Sequence, residues 1–315
     1  MAEIVVGAGG WAYFTLPSDM DPLEWYAKAF SFVEVNYTFY EYPSMRMVAS
    51  WRSRVPGSFE FSVRCHSDVT HKYTFKLNEN SLKALKYIFD VCRVLRSELL
   101  VFETPSRFKP TLENFKLAEK VFEIVASEGI VAVWEPRGSE WKEEEARSKI
   151  AELVDRYDVA HCVDFSKGEE PAAVGSVAYS RLFGRGEHNI YQFTDEEIKE
   201  ICSLANKVGA KAKKVYIAAH TVKMYVDAAR IKQYVEKGEM LPVTKGRGVE
   251  AVVEALMPDI SFPITKEELI KWHGWKVIDW RDGCRVRLAE IFKELPSMQY
   301  RSLKQLEESL RELRL

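Results

Sequence analysis

Short segments in which apolar and polar residues alternate recur along the first two thirds of the chain, each followed by a longer amphipathic segment. In 32–36 the valines fall on one side, and Glu34 and Asn36 fall on the other. In 59–66 the same pattern places Arg64 on the polar side, opposite aromatic and aliphatic residues. A period of two residues indicates β-strands with one face against a core.

The pattern predicts eight strands that alternate with helices. The predicted strands are 4–6, 32–36, 59–66, 99–103, 130–135, 160–165, 177–183 and 214–220. Several helices follow a residue that is typical of an N-cap, as at Asp21, Ser44 and Thr111. Eight strand–helix repeats over about 240 residues match a (β/α)8 TIM barrel, an α/β fold, in number and length. A doubly wound open sheet is the alternative.

The residues after the eighth repeat follow a different pattern. We expect residues 1–245 to form the TIM-barrel domain and residues 259–315 to form a small α+β appendage. In the appendage, 275–280 and 284–288 flank the turn Arg281-Asp282-Gly283, which predicts a β-hairpin.

Polar residues cluster near the carboxyl ends of the predicted strands. In a barrel these ends meet at one mouth, where catalytic sites lie. The alternation places nine residues on interior faces at or near these ends: Glu34, Asn36, Arg64, His66, Glu103, Glu135, Asp164, Arg181 and His220. The loops just beyond add His71, Arg137, His188, Tyr40 and Tyr191. An ion-pair network that only fills the barrel is an alternative, because buried charges are usually paired.

These residue types suit proton transfer, metal binding or anion binding. Acids and imidazoles serve as general acids and bases or as metal ligands, and arginines suit phosphate or carboxylate groups. We predict that the catalytic residues are Glu34, His66, Glu135 and Asp164, and that Glu135, Asp164 and His66 bind a divalent metal. The predicted substrate-binding residues are Asn36, Tyr40, Arg64, His71, Glu103, Arg137, Arg181, His188, Tyr191 and His220. No short motif such as H-E-x-x-H supports the metal, so metal-free chemistry stays open.

Composition changes this picture little. The 315 residues include 45 basic and 47 acidic side chains, so no global basic field points to nucleic acid. The five cysteines contain no C-x-x-C pair, which is typical of a reducing cytoplasm. No signal peptide and no membrane-spanning run is recognisable, so we expect a cytoplasmic protein without a membrane partner. Abundant Lys and Glu with few Asn and Gln favour a thermophilic source.

Several ordered motifs resemble the domain of unknown function 72 family, the YecE-like proteins. They are Gly7-Ala8-Gly9-Gly10-Trp11, Val33-Glu34-Val35-Asn36 with Phe39-Tyr40 and Pro43-Ser44, Phe59 to His66 with Thr70-His71, Thr104-Pro105, Glu135 with Trp141, Asp164, and Arg181 with Phe183-Gly184-Arg185. The resemblance covers residues 4 to 237 and implies a TIM barrel similar to sugar-phosphate isomerases and endonuclease IV. Two positions depart from the family pattern. Ala218-Ala219-His220 stands where an aromatic residue and two asparagines are usual, and Glu103 stands where glutamine is usual.

The residues and the resemblance leave three functions open. The first is a hydrolase acting on a phosphate-containing small molecule or nucleic acid, a metal-dependent nuclease or phosphodiesterase. The second is a metal-free isomerase or lyase that moves protons on a small sugar-like substrate with paired carboxylates. The third is a non-catalytic protein that binds nucleic acid. Enzymatic activity and oligomeric state stay open at this level.

Overall fold

Eight parallel strands of the computed structural model form one sheet. They are β1 (Glu3–Ala8), β2 (Phe32–Val35), β3 (Glu60–Arg64), β4 (Leu99–Thr104), β5 (Val131–Pro136), β6 (Ala160–His161), β7 (Val177–Leu182) and β8 (Lys214–Ala219). Their order is β6-β5-β4-β3-β2-β1-β8-β7, and a bridge between Val163 and Ser180 brings the two ends of the sheet together. The sheet is therefore the nearly closed TIM barrel that the alternation predicted.

The structure describes residues 2–14 and 20–313. The chain divides into two compact units, Met1–Leu182 with Ile201–His220, and Phe183–Glu200 with Thr221–Leu315. All eight barrel strands lie in the first unit. The domain boundary expected between residues 245 and 259 stays a prediction.

Helices follow the strands of the first unit, and their starts confirm the predicted caps. The helices are α1 (Pro22–Ala29), α2 (Tyr37–Tyr40), α3 (Met45–Ser53), α4 (Glu79–Leu95), α5 (Leu112–Ser127), α6 (Glu144–Tyr157) and α7 (Asp195–Gly209), the last with residues in both units. The side chains of Asp21, Ser44 and Thr111 each accept a backbone N–H from the first turn of the helix that follows. These bonds satisfy donors that have no partner within the helix.

The sixth strand is shorter than predicted. Alternation suggested residues 160–165, but β6 contains only Ala160 and His161. The carboxylate of Asp164 accepts the Ser166 N–H and starts a 3-10 turn at Phe165–Lys167. This local hydrogen bond competes with continued strand pairing.

Alternate residues of the strands fill the barrel interior in layers. An apolar layer consists of Val5, Phe32, Leu99, Val101, Val133, Ala160, Cys162, Tyr179, Tyr216 and Ala218. Further along the same faces, toward the carboxyl ends of the strands, the side chains become charged. Glu34 and Arg181 are buried there, two residues beyond Phe32 and Tyr179 respectively. The apolar layer thus closes the barrel beneath a charged mouth.

The second unit has its own hydrophobic core and a mixed α and β composition. Its further elements are α8 (Met224–Lys237), α9 (Val249–Leu256), β9 (Ile264–Thr265), α10 (Lys266–His273), β10 (Val277–Arg281), β11 (Cys284–Arg287), α11 (Leu288–Lys293), β12 (Gln299–Tyr300) and α12 (Leu303–Arg311). Strands β10 and β11 pair antiparallel, which confirms the predicted hairpin. Its core includes Leu256, Leu269, Ile278, Phe292 and Leu306, all fully buried.

Tyr26 bridges the barrel wall where β1 and β2 share a single pair of register partners, Ala8 and Val33. The Ala8 N–H donates to the Tyr26 hydroxyl at 2.8 Å, and the hydroxyl donates to the Phe32 carbonyl at 2.8 Å. Tyr26 is fully buried, so no water can replace it without rearrangement. One side chain thus satisfies two backbone groups that the short ladder leaves unpaired.

We expect Tyr26→Phe to lower the free energy of unfolding by about 1–3 kcal/mol, because two buried backbone groups lose their partner. Urea denaturation followed by circular dichroism measures this loss. Tyr40→Phe is the matched control, since the Tyr40 side chain is 67% exposed. An equal loss in both variants would contradict the bridging role of the Tyr26 hydroxyl.

Candidate active site

Arg181, which β7 places in the barrel interior, is the centre of the charged mouth. One terminal nitrogen lies 3.0 Å from Glu34 Oε1, and the other lies 2.6 Å from Glu103 Oε2 and 2.5 Å from Glu135 Oε2. Its Nε donates toward His220 Nε2 at 3.3 Å. The side chain is only 2% exposed. One guanidinium therefore binds groups from β2, β4, β5 and the end of β8.

The charges of this group stabilise one another. Burial alone would lower the pKa of Arg181, but Glu34, Glu135 and Glu103 raise it well above its usual value. Burial would raise the pKa of Glu34, but Arg181 and His220 lower it below the usual range. Likewise, Arg181, Arg64 and Arg137 overcome burial and lower the pKa of Glu103 to about 2. These carboxyl groups are therefore ionised at neutral pH.

Two further arginines complete the charge balance. Arg64 donates to Glu103 Oε2 at 2.9 Å, and its guanidinium carbon lies 3.7 Å from the centre of the Phe39 ring. Arg137 lies 3.3 Å from Glu103 Oε2 and 2.9 Å from Glu135 Oε1. Three guanidiniums thus meet three carboxylates. We refer to these six residues as the mouth cluster: Glu34, Arg64, Glu103, Glu135, Arg137 and Arg181.

Asn36 and His220 connect the mouth cluster to the loop after β1. Asn36 accepts a hydrogen bond from Arg64 at 3.2 Å and donates to the Gly9 carbonyl at 2.7 Å. His220 Nε2 lies 3.3 Å from Glu34 Oε1. Burial and the charge of Arg181 lower the pKa of His220, so the ring is neutral at pH 7. A Cβ atom on Gly9 would lie 2.2 Å from His220 Cε1, so only glycine fits at this position.

Tyr179 and Ser62 support Glu34 from below, and the sequence analysis did not single them out as site residues. The Tyr179 hydroxyl donates to Glu34 Oε2 at 2.9 Å and lies 2.7 Å from the Ser62 hydroxyl. Tyr179 precedes Arg181 by two residues on the same face of β7. The same alternation that predicted Arg181 as an interior residue therefore predicts Tyr179 as its neighbour.

The three predicted metal ligands are not brought together. Glu135 binds Arg181 and Arg137, and Asp164 uses its carboxylate to accept the Ser166 N–H at 3.0 Å. His66 lies beyond the end of β3, where its ring stacks on Tyr42 at 3.7 Å between ring centres. Within residues 2–14 and 20–313, no group of three or more His, Cys, Asp or Glu side chains could hold a metal ion.

His71 and Tyr40 surround the same aromatic ring as Arg64. The His71 and Tyr40 rings each contact Phe39 edge-on, with 4.9 Å between ring centres. His71 Nδ1 lies 2.9 Å from the Thr70 hydroxyl, and burial lowers the pKa of its half-buried ring. His71 is therefore a neutral imidazole next to the mouth cluster.

His188 and Tyr191 belong to the second unit. His188 is exposed in a left-handed conformation with φ of 48°. The Tyr191 ring lies under the Arg287 guanidinium at 4.3 Å, and its hydroxyl donates to Glu197. Burial and Glu197 raise the pKa of Tyr191 to about 12. Their predicted role in substrate binding stays a prediction.

The family described as "Protein of unknown function DUF72" matches residues 5–246. The chain belongs to this family. No curated protein matches it. Within the described residues, no helix of this DUF72 protein is long and apolar enough to cross a membrane.

Two solved structures of the family share the fold. A DUF72 family protein from Enterococcus faecalis V583 is 17% identical, with 76% of this chain and 98% of that chain covered and a TM-score of 0.61. A DUF72 family protein from Thermotoga maritima MSB8 is 22% identical, with 75% of this chain and 100% of that chain covered and a TM-score of 0.60. At these identities the likeness shows the TIM-barrel fold alone.

We expect Arg181→Met to destabilise this DUF72 protein by about 3–5 kcal/mol at pH 7, because it leaves buried carboxylates without their main partner. The pH dependence of the stability should change as well. In the wild type the pKa of Glu103 is below its ordinary 4.5, so its contribution is complete at pH 7 and is lost only as the pH falls toward 2. In the variant, burial raises the pKa of Glu34 because Arg181 no longer opposes it. The unfolding free energy should therefore increase as the pH is lowered from about 7 to about 5.

Urea titrations at several pH values measure both effects of Arg181→Met. The double variant Arg181→Met/Glu34→Gln provides the control, because it removes the most deeply buried of the three carboxylate charges. The double variant should be more stable than Arg181→Met alone. A double variant that is less stable than the single one would show that Glu34 does not depend on Arg181.

Gly9→Ala tests the close approach to His220. We expect a loss of about 1–3 kcal/mol in unfolding free energy, because the new methyl group overlaps the imidazole ring. The double variant Gly9→Ala/His220→Ala should recover part of this loss, since the ring is absent. Additive losses in a double-mutant cycle would contradict a direct contact between the two residues.

Proposed function

We propose that this DUF72 protein is an enzyme that transfers protons on a small, anionic, sugar-like substrate, as an isomerase or lyase. The observation that carries the proposal is the environment of Glu103. Its carboxylate receives three guanidiniums, yet 15% of the side chain is exposed to solvent. It is thus an ionised base that a substrate can reach, held in place by groups that also bind anions.

Arg64 and Arg137 are the groups that would receive the substrate anion. The Arg64 side chain is 9% exposed, and one of its terminal nitrogens donates to the neutral Asn36 amide at 3.2 Å, which an anion could replace. The Arg137 side chain is 36% exposed and is accessible to a ligand. The proposal gives Arg181 a supporting role, different from the predicted substrate binding, because its side chain is 2% exposed and pairs with three carboxylates.

Substrate binding would activate Glu103 as a base. A carboxylate or phosphate group that draws Arg64 and Arg137 away from Glu103 removes two of the charges that lower its pKa. The pKa would then rise from about 2 toward the operating pH, where a general base works best. Glu103 would remove a proton from the carbon next to a substrate carbonyl.

His71 is the candidate partner for the carbonyl oxygen. Its lowered pKa keeps it neutral at pH 7, so the ring nitrogen that carries the proton can donate to the oxygen as negative charge develops. Glu103 then returns the proton to the former carbonyl carbon, and the hydroxyl proton of the neighbouring carbon moves to the former carbonyl oxygen. The isomerisation is then complete, and no oxidant or reductant is consumed. The exposed Tyr40 ring offers a flat surface for the sugar.

The other two functions from the sequence analysis remain predictions with different requirements. A metal-dependent phosphodiesterase would need a metal that is bound with ligands from the substrate, since Glu135, Asp164 and His66 point to different partners. A non-catalytic nucleic-acid-binding protein would need no turnover at all. Deuterium exchange and phosphate release separate the three, because a non-catalytic nucleic-acid-binding protein would show neither.

Deuterium exchange tests the proposed proton transfer. Purified protein is incubated in D2O with a panel of sugar phosphates and sugar acids, and the loss of carbon-bound proton signals is followed by NMR, with and without EDTA. We expect exchange into a member of the panel that EDTA does not abolish. Release of phosphate from a phosphodiester only after addition of a divalent ion, without exchange, would favour the phosphodiesterase.

Glu103→Gln should lower the exchange rate by a factor of about 10² to 10⁴, because the general base loses its charge. Glu60→Gln is the matched control. Glu60 is also an ion-paired glutamate of the barrel, 2.8 Å from Lys214, but it begins β3 at the opposite end of the strands. Equal exchange rates in the two variants would contradict the role of Glu103.

A further inference from the structure

A second charged site lies in the second unit, in a cavity of about 520 Å³. Pro242, Val243 and Thr244 line part of it, and most of its remaining wall is charged. Four lining residues are cationic and two are acidic: Lys245, Arg247, Arg281, Arg285, Glu254 and Asp279. Nothing in the chemistry of the barrel mouth accounts for this excess of positive charge.

The loop Val243–Gly248, which we call the amide loop, has a backbone that binds anionic groups. The N–H groups of Val243 and Thr244 donate to Asp279 Oδ2 at 2.6 and 2.9 Å. The next two N–H groups along the chain both donate to Glu254 Oε2 at 2.9 Å. Four consecutive N–H groups that converge on carboxylates form an anion-binding concavity.

The two carboxylates differ in how firmly they are held. Asp279 is 6% exposed, and its Oδ1 lies 2.9 Å from Arg285, which lies 2.8 Å from Asp195. Asp195 also binds the buried Arg230 at 2.5 Å. This buried series of charges fixes Asp279 and one wall of the cavity. Glu254 is exposed and outside the series, so an incoming anion can replace it.

Two of the cations are available to a ligand. Arg247 pairs with Asp282, and Arg285 pairs with two aspartates. Lys245 and Arg281 are exposed, and within the described part of the chain neither has a carboxylate within 4.0 Å. Their charges therefore have no protein partner that a ligand would have to displace.

We propose that this cavity binds a phosphate group, carried by a small phosphate compound or by a nucleic-acid backbone. Lys245 and Arg281 supply the charge. The two N–H groups that now bind Glu254 supply directional donors, as backbone groups commonly do at phosphate sites. Gly248, with φ of +58°, gives the amide loop a turn that other residues rarely adopt. The proposal is independent of the reaction at the barrel mouth.

Binding measurements test the site with three probes: inorganic phosphate, pyrophosphate and a short single-stranded oligonucleotide. The double variant Lys245→Ala/Arg281→Ala should weaken the binding of any probe that the wild type binds. We expect a loss of affinity of about tenfold or more, because hydrogen bonds to charged groups contribute factors of that order. Lys304→Ala in α12, an exposed lysine outside the cavity lining, should leave binding unchanged. Glu254→Gln should strengthen binding severalfold, because it removes the competing charge.

The probes and the salt dependence identify the source of the phosphate. A preference for the oligonucleotide indicates a nucleic-acid backbone, and the double variant should then lower the magnitude of the salt slope by about 1.4. A preference for phosphate or pyrophosphate indicates a small compound. With labelled protein, the amide signals of Val243–Gly248 should shift on binding. No binding of any probe, or equal binding by wild type and Lys245→Ala/Arg281→Ala, would overturn the proposal.

Discussion

A buried arginine that binds three carboxylates determines the charge balance of the barrel interior and the positions of the strands around it. Arg181 is 2% exposed, and the loss of hydration of a guanidinium is costly unless its donors and its charge are satisfied. Glu34, Glu103 and Glu135 come from three different strands, so the interaction also fixes the positions of those strands. Three carboxylates around one cation would repel one another. Arg64 and Arg137 are therefore needed for neutrality as much as for any ligand.

This balance shapes the chemistry that the mouth can perform. The acids and arginines of the mouth cluster satisfy each other, and the lowered pKa of Glu103 makes it a weak base. A neutral ligand changes none of these charges. An anion that competed for Arg64 and Arg137 would both bind and raise the basicity of Glu103. Selectivity for anionic substrates and activation of the base would thus have one physical origin.

Much of the fold and the interior of the site follows from a period of two residues. Alternation correctly places Glu34, Arg64 and Arg181 in the interior, because successive side chains of a strand point to opposite faces of the sheet. It does not show which carboxylate meets which guanidinium, since that depends on side-chain reach across strands distant in sequence. Asp164 and His66 show the limit of the method. Both lie just past a strand end, where local hydrogen bonds and stacking decide the direction of the side chain.

The amide loop could not be predicted from alternation, because its donors belong to the backbone and one of its two acceptors, Asp279, is far away in sequence. The carboxylate of Asp279 reaches it from β10, more than thirty residues later in the chain. The two charged sites also differ in what a ligand must displace. At the barrel mouth, each arginine is shared with an acid, so a ligand must compete with a strand-anchored carboxylate. At the amide loop, Lys245 and Arg281 have no such competitor, and only the exposed Glu254 occupies donors that a ligand would use. The arrangement at the barrel mouth favours selectivity among ligands. The arrangement at the amide loop favours attraction by charge, so its affinity for anions should depend strongly on salt concentration.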